Sequence, residues 1–268
     1  MQNKHKVMRW AHWALYGWIG AWLGVAGAQT APSGAGPVPI KVAAASNLKW
    51  VLTDLLALYR QQSAAPVQLS LGASGALAQQ IRQGLPVGLF ISADEVRVDE
   101  LVKAGLTLDA GQRYATGRLA LLVPQNSTLP LTAGLKAVLQ ALPPQDKFAI
   151  ANPELAPYGL AAQEALQHEG VWTLASTRLV KGENIAQATQ FVVTGAAAAG
   201  LTALSLVMAP EVAQRTRYKR IPADWHAPLH QKLVLLKGAN PETRQFRDFV
   251  LSPAAQAVFQ RHGYDTSP

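Results

Sequence analysis

From Ile40 onward the apolar positions of the chain switch between two periods. Lys41–Ala45 reads as a short strand. In the following stretch Leu48, Val51, Leu52, Leu55, Leu56 and Tyr59 recur at helical spacing, so a helix is expected over Leu48–Gln62 with Ser46 or Asn47 as its cap. Val67–Leu71 alternates apolar and polar residues as a half-buried strand does, and Leu77–Gln83 reads as a short helix. Leu89–Ser92 is a buried strand, and Val96–Ala104 is a helix stopped by Gly105. This β-α-β-α-β-α order predicts an α/β protein built on a mostly parallel sheet with helices on both faces.

A second block follows the apolar strand Arg118–Val123. Thr132–Leu142, Phe148–Ala151, Tyr158–Gln167, Ile185–Val193 and Ala199–Leu204 repeat the alternation. Lys232–Leu236 then reads as a strand, and Pro241–Val250 and Ala254–Arg261 read as helices with no sheet of their own to cover. They are expected to pack back on the first domain. The boundaries expected are 40–122 for the first part of domain I, 123–228 for domain II and 229–268 for the return to domain I. Two crossovers of this kind leave a cleft lined by the carboxyl ends of strands, where open α/β sheets bind ligands.

Residues 1–28 differ from the rest. Lys4, Lys6 and Arg9 precede an apolar run from Ala14 to Val25 that closes on Ala26-Gly27-Ala28, which reads as a signal peptide cleaved after Ala28 and implies export to a periplasm-like compartment. Residues 29–39, rich in Pro, Gly, Ala and Ser, read as a flexible mature N-terminus. Losing the three basic residues trims the formal charge of +8 to +5. The remaining basic residues are scattered apart from Arg215, Arg217, Lys219 and Arg220, which read as a solvated helix or loop face, so no nucleic-acid partner is expected. The chain has no cysteine, which excludes disulfides, thiol catalysis, Cys-ligated zinc and a lipid-modified N-terminal cysteine. Phe191–Ala209 is apolar or small over the length of a membrane span, but Gly195, Gly200 and β-branched residues divide it into helix, turn and buried strand.

The candidate chemistry lies where strands run into helices. Ser46 and Asn47 follow the first strand, and Ser74 follows Gly72-Ala73 after the second. A helix N-terminus exposes unpaired N–H groups and the positive end of the helix dipole, so two of them with hydroxyls and little bulk suit a small anion. Asn152-Pro-Glu-Leu-Ala-Pro157-Tyr158-Gly159 and Lys181-Gly182-Glu183-Asn184-Ile185 supply two similar passages from the second block. Each Ser alone reads equally well as an ordinary cap; four such starts converging on one cleft would make an oxyanion site.

Taken together, Ala-Ala-Ser-Asn-Leu, Gly-Ala-Ser-Gly-Ala-Leu-Ala-Gln-Gln-Ile, Leu-Phe-Ile-Ser-Ala-Asp94, Asn-Pro-Glu-Leu-Ala-Pro-Tyr-Gly and Gly-Glu-Asn-Ile resemble the periplasmic molybdate-binding proteins of ABC importers, from Val42 to Tyr264. The resemblance implies a class II periplasmic-binding-protein fold of two α/β domains and a ligand, molybdate or tungstate, held by neutral donors. By position it implies Ser46 and Ser74 as hydroxyl ligands, Asn47 and Ile185 as backbone N–H donors and Tyr158 as the contact from the second domain. Many members carry a ligand tyrosine in the strand that here reads Gly200-Leu-Thr-Ala203, so Tyr158 is expected to supply the phenol instead. It further implies a non-enzymatic monomer without a cofactor that hands its anion to a membrane permease.

Within the binding class the alternative is another oxyanion, such as sulfate or phosphate. A serine hydrolase is the enzyme alternative, since Gly72-Ala73-Ser74-Gly75-Ala76 approaches a nucleophile elbow but ends on Ala76, and His168, His226, His230 and His262 offer Ser74 no evident partner. His226 and His230 have metal-like spacing, but Pro228 between them argues for a loop.

Overall fold

The computed structural model describes residues 38–266, so the expected signal peptide and most of the expected flexible N-terminus lie outside the described residues. Strand β1 (Ile40–Ala45) ends in a three-residue 3-10 turn, Ser46–Leu48, before α1 (Lys49–Tyr59). There follow β2 (Val67–Gly72), α2 (Ser74–Arg82), β3 (Leu89–Ile91), α3 (Val96–Lys103) and β4 (Gln112–Gly117). The chain then crosses into β5 (Leu119–Pro124), α4 (Leu135–Ala141), β6 (Phe148–Ala151), α5 (Pro157–His168), α6 (Trp172–Ser176) and β7 (Leu179–Gly182). Helix α7 (Ile185–Val193), β8 (Ala199–Ala203), α8 (Leu204–Val207), α9 (Pro210–Ala213) and β9 (Thr216–Arg220) complete the second lobe, and β10 (Leu229–Leu235), α10 (Pro241–Val250) and α11 (Pro253–Arg261) return to the first.

Two five-stranded sheets result, ordered β2-β1-β3-β10-β4 and β7-β6-β8-β5-β9. Both are mixed rather than mostly parallel. The β1, β2 and β3 strands run together, as do β7, β6 and β8, but β10 is antiparallel to β3 and β4, and β5 is antiparallel to β8 and β9. The strands that return from a crossover enter from the opposite end, which reverses them. Helices cover both faces of each sheet, as expected. On one face of the first sheet Leu52, Leu55, Phe246 and Phe259 pack with Val42 and Leu233; on the other, Leu77, Val98 and Leu101 pack with Phe90 and Val234.

The two terminal helices do pack on the first sheet. Each opens with a side-chain cap and Pro at its first turn: Asn240 accepts from the Thr243 N–H at 2.8 Å, and Ser252 accepts from the Ala255 N–H at 3.3 Å. Their aromatic residues then close on α1 and on the sheet, Phe246 lying edge-on to Tyr59 of α1 at 4.9 Å and Phe259 against Tyr114 of β4 at 5.2 Å.

Three local expectations change. The passage between lobes falls at Arg118, because all of β5 hydrogen-bonds in the second sheet, so a boundary at 122/123 would cut a strand. Neither Ser46 nor Asn47 caps α1, whose N-cap is Leu48 without a side-chain bond; the 3-10 turn intervenes. The basic residues after Arg215 form strand β9 at the edge of the second sheet, where charged side chains stay in water and guard the edge against pairing with other chains. Phe191–Ala209 divides into α7, a turn, β8 and α8, and among the described residues no helix is long and apolar enough to cross a membrane.

Candidate functional site

The parallel register brings three strand ends to one level. Ala45 lies opposite Gly72, and Ala44 opposite Ile91, so Ser46, Ser74 and the Ser92-Ala93 pair emerge side by side at the carboxyl edge of the first sheet. In the second sheet Ala151 lies opposite Gly182, which brings the loop into α5 and the start of α7 to the same edge. The approach is made by small residues: Ala45, Ala73 and Ala93 from one lobe share a buried cluster with Ala156, Tyr158, Ile185 and Ala203 from the other.

The two edges touch. The Gly75 N–H donates to the Leu155 carbonyl at 2.9 Å, and the Ala186 N–H donates to the Ser46 hydroxyl at 3.4 Å. A Cβ on Gly75 would lie 2.8 Å from the Leu155 oxygen, so only glycine allows the N-terminus of α2 this close to the opposite backbone. All five sequence-predicted residues are buried here, Ser46 at 4 %, Asn47 at 1 %, Ser74 at 0 %, Tyr158 at 1 % and Ile185 at 3 % exposure.

The hydrogen bonds of the three hydroxyls follow one pattern. Ser46 Oγ accepts from the Ala186 N–H, Ser74 Oγ accepts from the Ala93 N–H at 2.9 Å, and Tyr158 Oη accepts from Gln231 Nε2 at 3.1 Å. Each oxygen thus has an N–H on its acceptor side and keeps its own proton to donate. Among the described residues the backbone N–H groups of Asn47, Ser74 and Ile185 have no partner either. Burial drives the Tyr158 phenol well above its ordinary pKa, so it stays a donor throughout the neutral range.

Asn47 also pins the lobes through its side chain and carbonyl. Its Nδ2 donates to Gln231 Oε1 at 3.0 Å and to Tyr264 Oη at 2.8 Å, while its carbonyl accepts from the Ser205 hydroxyl at 2.9 Å and the Tyr264 hydroxyl at 3.1 Å. Sequence reasoning did not single out Gln231, Tyr264 or Ser205, and it assigned no role to the Ala93 N–H although the surrounding Phe-Ile-Ser-Ala-Asp segment stood out. Among the described residues the histidines find partners other than the three hydroxyls: His226 Nδ1 pairs with the Ala227 carbonyl at 2.8 Å, His230 Nδ1 with the Thr116 hydroxyl at 3.0 Å and His262 Nε2 with Asp54 at 2.8 Å, while His168 stacks on Trp225. Among the described residues no group of three His, Cys, Asp or Glu could hold a metal ion.

Asp94 is the acidic group beside this edge. Its carboxylate accepts from the Arg97 N–H at 3.2 Å and the Ser92 hydroxyl at 2.9 Å, yet burial outweighs those bonds and raises its pKa. A raised folded-state pKa means the neutral carboxyl stabilises the fold, and that stability is lost as pH rises through the folded value. Asp94→Asn keeps the accepting oxygen and removes the buried charge. The variant is therefore expected to resist urea better than the parent near neutral pH, with the gap closing as pH falls through the raised folded value and fully closed once it is below the usual carboxylate range. Parallel urea titrations at several pH values check this; a gap that widens on acidification would contradict it.

Comparison with known proteins fits this geometry. The profile of the family described as bacterial extracellular solute-binding protein matches residues 40–265. The molybdate-binding protein ModA of Rhodobacter capsulatus is 35% identical over 239 residues, covering 88% of this chain and 90% of the relative. That of Azotobacter vinelandii is 33% identical over 229 residues, covering 84% of this chain and 89% of the relative. The solved periplasmic molybdate-binding protein from Azotobacter vinelandii superposes with a TM-score of 0.78 at 30% identity, covering 85% of this chain and all of that one.

Proposed function

Because the chain belongs to the bacterial extracellular solute-binding family, with molybdate-binding proteins among its relatives, we propose that it captures molybdate, and equally tungstate, and delivers it to the permease of an ABC importer. The single observation that carries the reading is the donor set. Three buried hydroxyls, each with its acceptor side already occupied, and three unpartnered backbone N–H groups gather where the two sheets meet. Ser46, Ser74 and Tyr158 donate through their hydroxyls, and Asn47 and Ile185 through their backbone.

Such a set suits a tetrahedral dianion. Each oxygen of the anion accepts directional bonds from N–H and O–H groups, and hydrogen bonds to a charged partner are the strong ones. A protonated anion would turn its own O–H against a donor and be rejected. Neutral donors at fixed spacing select by shape, whereas lysine or arginine would add attraction without it. The Gly75–Leu155 and Ser46–Ala186 contacts fix the spacing of the donors, and selection of molybdate over the smaller sulfate would rest on that spacing. The protein works as an exported, periplasmic monomer that performs no chemistry on its ligand and needs no cofactor. Sulfate or phosphate capture is the second reading.

The experiment is thermal unfolding of the mature protein with each anion. A ligand that binds only the folded state adds about 2.7 kcal/mol at a hundredfold excess over its Kd, so molybdate and tungstate are expected to raise the Tm while sulfate at equal concentration does little. Equal shifts for sulfate would remove the molybdate assignment.

A further inference from the structure

One buried amide joins the two lobes beside the site. Gln231 is 0 % exposed and sits in β10 at the register irregularity between Gln231 and Lys232, which breaks the ladder with β4 and turns its side chain into a cluster of polar groups. Its Oε1 accepts from Asn47 Nδ2 at 3.0 Å and from the Tyr114 hydroxyl at 2.6 Å, and its Nε2 donates to Tyr158 Oη at 3.1 Å. Asn47 and Tyr114 belong to the first lobe and Tyr158 to the second, so this amide links the lobes only when they are together. Gly117, the last residue of β4 before the crossing, makes room for the pair. A Cβ there would collide with the Tyr158 hydroxyl and lie 2.5 Å from Gln231 Nε2.

We propose that Gln231 is a positioning residue for anion capture: by donating to Tyr158 Oη it occupies the phenol's acceptor side and leaves the phenol's proton for the anion, so that closing the lobes and aligning this donor are one event. The proposal rests on Tyr158 being an anion donor. A hydroxyl without this partner rotates freely, and its average hydrogen bond to the anion weakens; a buried polar network of this kind acts as a unit, and only a double-mutant cycle apportions it.

The test is calorimetric titration of molybdate into the full mature protein and into Tyr158→Phe, Gln231→Met and the double variant. Each single variant is expected to bind about tenfold more weakly, the low end for a hydrogen bond to a charged partner, and the double variant no more weakly than Tyr158→Phe. Independent losses, about a hundredfold together, would overturn the proposal and leave Gln231 a structural residue. Tighter binding by Gln231→Met would overturn it in another way, by showing that the amide holds the phenol's proton away from the anion. Unchanged binding by Tyr158→Phe would overturn it while molybdate capture stood, whereas a parent protein that ignores molybdate would overturn the functional reading itself. Should Gln231→Met not fold, Gln231→Leu, which likewise removes the Nε2 donor, carries the same cycle with Tyr158 and with Phe at that position. It is expected to weaken the tyrosine protein and to cost much less where the hydroxyl is absent; equal losses in both would overturn the proposal.

Discussion

Replacing both serines, Ser46→Ala with Ser74→Ala, is expected to weaken molybdate binding by about 3–6 kcal/mol, or roughly 10²–10⁴ in Kd, at about 1.5–3 kcal/mol for each hydrogen bond to a charged partner. The two hydroxyls stand on adjacent strand ends, one bonded to Ala186 of the opposite lobe and the other to Ala93 of its own. Their loss acts on stability unequally. Ser74→Ala strands the buried Ala93 N–H, at a cost to folding of about 1–3 kcal/mol. Ser46→Ala gives up only a long 3.4 Å contact. Neither is a helix cap: the caps of α2 and of the turn after β1 are Ala73 and Ala45. Titrations made well below the unfolding transition of each variant separate the two effects, and an affinity within threefold of the parent would take the serines out of the site.

Gly75→Ala is expected to weaken binding about tenfold or more by a different route, since apparent affinity falls with the population of the binding-competent closed form. The added methyl would sit 2.8 Å from the Leu155 oxygen and 3.3 Å from its Cα. Both are backbone atoms, which cannot swing aside as a side chain does, so the lobes must separate. Alanine is at least as good a helix former as glycine in the first turn of α2, so the defect belongs to closure rather than to folding. The ligand should leave faster, and X-ray scattering should show less compaction on adding molybdate than in the parent. Equal compaction and equal affinity would mean that the Gly75–Leu155 contact plays no part in capture.

The two serines of the first prediction are marked by the sequence itself, for a physical reason. Ser46 follows a buried apolar strand and Ser74 an alternating one, so their place at the carboxyl edge of a sheet follows from pattern alone. The alternation of Val67–Leu71 appears in the edge strand β2, where Val67 and Leu69 are half-buried while Leu71 is exposed. Other features had no local signal. Strand β9 reads Thr-Arg-Tyr-Lys-Arg, and an exposed edge strand rich in charge lacks the apolar alternation that marks a strand. Ser46 and Asn47 look like caps because a cap and a short 3-10 turn share the same residue preferences. Gln231 is illegible for a stronger reason: its partners Asn47 and Tyr158 lie 184 and 73 residues away, and a polar residue flanked by His230 and Lys232 does not announce that it is the buried one or which distant groups will meet it. A boundary at 122/123 misses the passage between lobes at Arg118 by a few residues because β4 and β5 are separated by that one residue, and only the pairing partners reveal that they belong to different sheets.

The central claim is that the donors gathered between the sheets recognise a tetrahedral molybdenum or tungsten oxyanion. Isothermal titration of the mature protein with molybdate, tungstate, sulfate and phosphate in one buffer tests it most directly. One-to-one binding of molybdate and tungstate, with sulfate and phosphate at least about a hundredfold weaker, a difference of about 2.7 kcal/mol, is the predicted result. Sulfate or phosphate binding as tightly as molybdate, or no heat from any of the four, would contradict it.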